Sequence, residues 1–372
     1  MVWHELKKLF TWKMVGILVL FSFLYYQLFL SFDFTYFPNG RPALDHVNVS
    51  KQMIEKYGHE LDEREYQDFQ HTYEMEKEKA GDYLQSKNEF VDSGVTTYEE
   101  FREMDTNKEE FAELYGKVMF EEEVDLFWEL QARESILEYY ENRDLIFRDE
   151  LVSPQFKEKM SLGPITSILP QEVSHNYNGL ITMMSVLILL SIMIIVGRIY
   201  LIDQKNHAIY LQYTTKIGRN LFKKKLLTAM ISAFIIMTTY LLVFFLLYLG
   251  NDTRVFFDSH LNSFMSFYNI WFDVTFFEYI LLTIIGVYVL GFIGAAISAF
   301  FSRIASLYLS LIGLQIPIAI MLILLIFEYL IFFLLGIHYP LWLPLGTYST
   351  LILVATVLLV WRWRREKRMD LL

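Results

Sequence analysis

Cysteine is absent from all 372 residues. That excludes a disulfide framework, thiolate metal ligands and a cysteine nucleophile. A domain outside the cytosol would have to be held by packing alone, which is commoner on bacterial than on animal surfaces. Catalytic signatures are missing as well. No G-x-x-x-x-G-K-[ST] run occurs, so no P-loop is expected to hold ATP phosphates. No H-E-x-x-H run occurs either: His59-Glu60 is followed by Leu61-Asp62-Glu63. The eight histidines are scattered, whereas a zinc site needs several to converge. The expectation is therefore no enzyme, no catalytic residue, no metal and no cofactor in this chain. A formal charge of −11 argues against nucleic acid as partner, because phosphate binding needs a basic face.

What is present falls into two materials. Residues 33–175 carry 34 Asp+Glu against 15 Lys+Arg, a net of −19. The remainder carries 9 against 17 and contains uncharged runs of 19 to 33 residues. A hydrocarbon core of about 30 Å needs roughly 20 apolar residues in a helix, so these runs are long enough to cross it. The expected fold is an all-α polytopic membrane protein with six transmembrane helices, at residues 14–32, 176–197, 226–250, 279–301, 304–327 and 345–361. The first run is followed by no small-x-small site and reads as a span, not as a cleaved signal. Pro340 and Pro344 interrupt the last run. Residues 328–344 are accordingly expected to form an outer re-entrant or interfacial segment, whose irregular backbone must be buried in protein.

Six spans put both termini on one side, and the basic residues choose which. Outside residues 33–175, only Arg254 of the 17 Lys and Arg falls opposite the termini. Cytoplasmic loops carry the excess of Lys and Arg, so the prediction is N-in and C-in, with a basic cytoplasmic tail at 362–372. The localisation expected is the bacterial plasma membrane, with residues 33–175 extracytoplasmic. That insertion shows apolar residues at spacings of three and four over Val49–Gln85 and again over Val118–Tyr140. Thr97-Tyr98-Glu99-Glu100 has the form of a capping box. A small, mostly helical domain is expected, with breaks at Asp92–Gly94, Ser153-Pro154, Gly163-Pro164 and Pro170.

The polar bridge between spans two and three, residues 198–225, is the informative segment. An acidic residue and a lysine (Asp203, Lys205) open it. Ile209, Tyr210, Tyr213 and Ile217 then recur at helical spacing, and Gly218-Arg219 and Lys223–Lys225 close it. That order suits a short helix on the inner membrane surface, ended by Gly218, with lysines meeting the anionic leaflet. Here the chain resembles the ABC-2 type permeases, the membrane subunits of a class of ABC exporters. Asp203, Lys205, Thr214, Thr215, Gly218, Arg219 and Lys225 stand at matching positions. His207 replaces a common glycine, and Asp203 stands for the usual glutamate. The resemblance implies that Asp203–Arg219 is a coupling helix that docks on a separate ATP-binding subunit, with Tyr210 on its amphipathic face. It also implies that ATP and Mg are bound by that partner, and that a second permease, identical or related, completes the path.

Two further stretches agree with it. Residues 1–13 place Trp3, Leu6, Phe10 and Met14 on one face, with Glu5, Lys7, Lys8 and Lys13 elsewhere, as in an amphipathic elbow helix. The short turn Phe301–Ser306 offers Arg303 as a second docking contact. Glu278 and Glu328 lie near the outer ends of spans four and five and are membrane-embedded candidates, although each is close enough to the interface to snorkel. Gly286, Gly291, Gly294, Ala295, Ala296, Ser298 and Ala299 give span four a small-residue face, for packing within the subunit or for a dimer seam. The function expected is ATP-driven efflux of an amphipathic substrate such as a peptide antibiotic, lipid or drug. The alternative is a sensor or immunity component whose acidic domain captures a cationic peptide or envelope ligand.

Overall fold

The computed structural model describes residues 1–122, 124–144, 165–205, 221–266 and 269–368. Among these the chain is all-helical, and six helices are long and apolar enough to cross a membrane. In chain order the helices are α1 (Val2–Leu9), α2 (Trp12–Phe29), α3 (Ser31–Thr35), α4 (Ala43–Tyr57) and α5 (Glu63–Gln85). Then come α6 (Asn88–Ser93), α7 (Tyr98–Arg102), α8 (Glu109–Gly116) and α9 (Asp125–Glu141). The remainder are α10 (Gln171–Val196), α11 (Leu201–Lys205), α12 (Leu221–Tyr248), α13 (Phe276–Ile304), α14 (Tyr308–Leu325) and α15 (Trp342–Arg368).

The candidate spans are α2, α10, α12, α13, α14 and α15. They overlap all six expected segments but differ at the edges. Ile304, placed at the start of the fifth span by its apolar neighbours, instead ends α13, and only Ala305-Ser306-Leu307 separates α13 from α14. The basic tail is helical through Arg368, because α15 continues past its apolar run without a breaker. Trp342 and Trp361 bracket the apolar part of α15, the first largely exposed and the second half-exposed. At 1.5 Å per residue they stand about 29 Å apart, close to a bilayer's hydrocarbon thickness.

Helix α10 is the central post. Of its most apolar window 78% is buried inside the protein, against 61% for α13 and 11% for α2. Helices α12 and α13 pack on it and on each other, and α15 packs on α13. The small-residue face of α13 explains that closeness and resolves the two readings of it. A Cβ at Gly291 would collide with Met237 Sδ of α12, and one at Gly294 would lie 2.7 Å from Leu189 Cδ1 of α10. At Gly286 a Cβ would meet the Tyr348 hydroxyl of α15 at 2.9 Å. The face is consumed by packing within the subunit.

Segment 331–341 after α14 leaves helical geometry, with Pro340 near its end. A π turn, Ile326–Leu330, ends the helix, and Ile331, Leu334 and Ile337 are buried beneath it. The loop is tied to residues 269–271: Ile337 N–H donates to the Asn269 carbonyl at 3.1 Å, and Trp271 N–H to that of Leu335 at 3.0 Å. Pro344 falls in the first turn of α15, where no intrahelical donor is lost.

Helices α4–α9 form the acidic lobe at the opposite end of the bundle from α1. The Thr97–Glu100 capping box is formed, and Asp62–Glu65 makes a second one for α5. The lobe has two parts. Its distal part has a separate core built on Phe90, Tyr98, Phe101, Phe127 and Trp128. The proximal part, including Val49, Met53, Phe69 and Tyr140, is continuous with the core of the bundle. Backbone bonds stitch this junction: Leu61 N–H to the Thr166 carbonyl at 2.8 Å and Ile168 N–H to that of His59 at 2.9 Å. Ser263 Oγ donates to the Ser167 carbonyl at 2.7 Å. The lobe is thus seated on the span ends, not tethered to them.

Candidate functional site

The site lies at the end of the bundle opposite the lobe, where the polar bridge leaves α10 and returns through α12. Its geometry begins with Gly197. A Cβ there would come within 2.6 Å of the Met193 carbonyl and 2.7 Å of Gln315 Nε2, so only glycine admits α14 so close. The chain then turns. Tyr200 N–H donates to Ser302 Oγ of α13 at 3.0 Å, and α11 carries Asp203 inward.

Asp203 does not face outward as a docking residue. It is buried, and Lys225 of α12, fully buried, donates to its Oδ2 at 2.5 Å. The same ammonium donates to the Ile199 carbonyl at 2.7 Å and lies 3.1 Å from Glu5 Oε2. An ammonium has three N–H bonds and no acceptor, so these three oxygens satisfy it. Lys8 adds the fourth charge, 2.8 Å from Glu5 Oε1 and 3.0 Å from Asp203 Oδ1. Burial lowers the proton affinity of Lys8, but hydrogen bonds with Glu5 and Asp203 outweigh it and hold its pKa above the usual 10.5.

Among the described residues two carboxylates face two ammoniums in this knot, and such balance lowers the cost of burying charge. It explains a misplaced expectation for α1. Glu5, expected on the polar side of the elbow, is buried while Trp3 is exposed. The helix turns its carboxylate toward Lys225 and leaves the indole at the outer surface, where an aromatic ring suits a membrane interface.

A second ionic cluster adjoins the first. Arg303 Nε donates to Glu366 Oε1 of α15 at 2.6 Å, and Arg362 Nη2 reaches the same oxygen at 3.0 Å. The Arg303 guanidinium also lies 5.9 Å from the Tyr200 ring centroid, on the side of the first knot. Helices α1, α11, α12, α13 and α15 therefore meet through ionic and aromatic contacts around the two ends of the bridge.

Of the residues expected to couple to an ATPase, Asp203 and Arg303 are brought together here, and Lys205 ends α11. Tyr210, Thr214, Thr215, Gly218 and Arg219 lie outside the described residues. Glu278 and Glu328 are elsewhere, both exposed at the lobe end. Glu278 closes a capping box for α13, accepting from Thr275 N–H at 2.9 Å. Glu328 accepts from the Tyr339 hydroxyl at 2.6 Å. Each carboxylate thus has a local hydrogen-bond partner at its span end. Glu5, Lys8 and Glu366 were not expected at the site. Their signal was rarity: Glu5, Asp203, Glu366 and Asp370 are the only acids among the basic residues of this end. Comparison of the chain with protein-family models, with curated proteins and with solved structures gives no match.

Proposed function

We propose that the chain is the membrane subunit of an ATP-driven exporter, with both termini and residues 198–225 in the cytosol and the acidic lobe outside a bacterial plasma membrane. The observation that supports this most is the Asp203–Lys225 pair. It closes the two roots of the bridge against each other and ties them to Glu5 and Lys8. A push on residues 206–220 by a docked ATPase would thereby reach α10 and α12 as one body. The resemblance of the bridge to ABC-2 permeases supplies the partner: a separate subunit that binds ATP and Mg. A second permease, identical or related, completes the path, and the cargo is amphipathic. The test is copurification of ATPase activity with the full chain from native membranes. Loss of that activity in Gly218→Pro or Arg219→Glu is the expected result, and retention by both variants removes the docking assignment.

The lobe favours a second reading, a sensor or immunity component. A cavity of about 310 Å³ in it is lined by Tyr73, Tyr98, Glu99, Glu103 and Glu134 together with Arg102, which pairs with Glu134 at 3.0 Å; three carboxylates against one guanidinium leave the lining net acidic. Binding of a cationic peptide that weakens steeply with salt supports capture by the lobe; binding indifferent to salt counts against it.

A further inference from the structure

At the end of the bundle that holds the two ionic knots, every described carboxylate is already taken. Glu5 and Asp203 serve Lys8 and Lys225, and Glu366 serves Arg303 and Arg362. Two of the cations left over share one indole. Lys223 at the start of α12 lies 4.5 Å from the centroid of the Trp363 ring, and Lys367 of α15 lies 4.1 Å from it. Neither ammonium makes an ion pair with a described residue, and both side chains are exposed. The indole Nε1–H is shielded from solvent and has no acceptor. Two ammoniums thus approach one indole with no carboxylate of a described residue to receive them. A buried donor left without a partner costs free energy, and two like charges around one ring repel. An anionic oxygen near the two ammoniums relieves that repulsion.

Depth identifies what supplies that oxygen. Trp363 stands just beyond the apolar stretch of α15, at the level of Trp361, which is half-exposed. Tryptophan and lysine side by side at a span end belong to the headgroup layer. We propose that Lys223, Trp363 and Lys367 form a binding site for the phosphate of an anionic phospholipid, bridging the start of α12 and the end of α15. The site rests on the membrane crossing and not on export, so its failure leaves the transport reading standing.

Native mass spectrometry of the full chain in mixed micelles tests it, with dioleoylphosphatidylglycerol and dioleoylphosphatidylcholine as matched probes. The expected result is retention of the anionic lipid over the zwitterionic one by about tenfold, since each interfacial lysine adds substantially to anionic-lipid attraction. Lys223→Gln with Lys367→Gln should abolish the preference, and Trp363→Phe should reduce it. Lys7→Gln with Lys13→Gln, which removes the same charge elsewhere on that end, should leave most of it. Melting profiles of all variants check that they are folded. Equal retention of the two lipids overturns the site. So does equal loss in both double variants, which would mean a diffuse basic face, and so does displacement of the lipid by inorganic phosphate, which would mean a soluble anion. Unchanged preference in the Lys223/Lys367 variant overturns it as well.

Discussion

The two ends of the molecule use the same side chains in opposite ways. In the lobe, ion pairs lie in water: Lys56 and Asp68 are each about half exposed, and Lys79, 2.7 Å from Glu76, is 60% exposed. At the other end, Lys225 is 0% exposed and its carboxylates are 3% and 5% exposed. A solvated pair contributes little, because water already stabilises each charge. A buried pair is also no great net gain over apolar packing, yet removing one partner strands the other in a poor solvent. The comparison teaches that the lobe's charges set its field, whereas the buried ones hold helices in register.

The largest expected effect follows from that. Lys225→Met removes the buried ammonium that Asp203 and Glu5 share and should cost about 3–5 kcal/mol, read as a fall in melting temperature and yield in detergent. The double variant with Asp203→Asn should be less damaging than Lys225→Met alone. A double variant worse than both singles would break the comparison. Glu366→Gln, which takes from Arg303 and Arg362 the carboxylate they share, should cost about 2–3 kcal/mol. In the lobe, Thr97→Ala removes the cap of α7 and should cost about 1 kcal/mol, detectable as earlier protease cleavage near residue 97. Lys79→Gln should change stability by less than about 0.5 kcal/mol.

A pH scan sharpens the contrast. Lys8 has its pKa raised by folding, so its contribution is present in full below about pH 10.5 and is lost as pH rises through the higher folded value. Thermal melting of the parent and of Lys8→Met, compared across that alkaline window, should show the parent losing more stability. Parallel curves would place Lys8 outside the knot in solution.

The contrast between α10 and α2 adds a second lesson. Both were legible as spans from uncharged length alone, yet α10 is largely enclosed and α2 is almost bare. An apolar run states that water is avoided, and does not say whether protein or lipid replaces it. Glu278 repeats the point at one residue. Its place near a span end was readable, as was the Thr three residues before it, but its charge drew attention toward a pathway and away from the cap it makes.

Six apolar helices, the acidic insertion and the Thr97 cap were decided within the sequence, because hydrophobic length, charge density and capping act over a few neighbouring residues. The pairing of Glu5 with Lys225, the turning of the small face of α13 onto Met237 and Leu189, and the seating of the lobe were decided by tertiary structure alone. Each joins positions far apart in the chain. A carboxylate does not carry in its local sequence which buried ammonium it will neutralise, since that choice exists only once the helices have enclosed a space from which water is shut out.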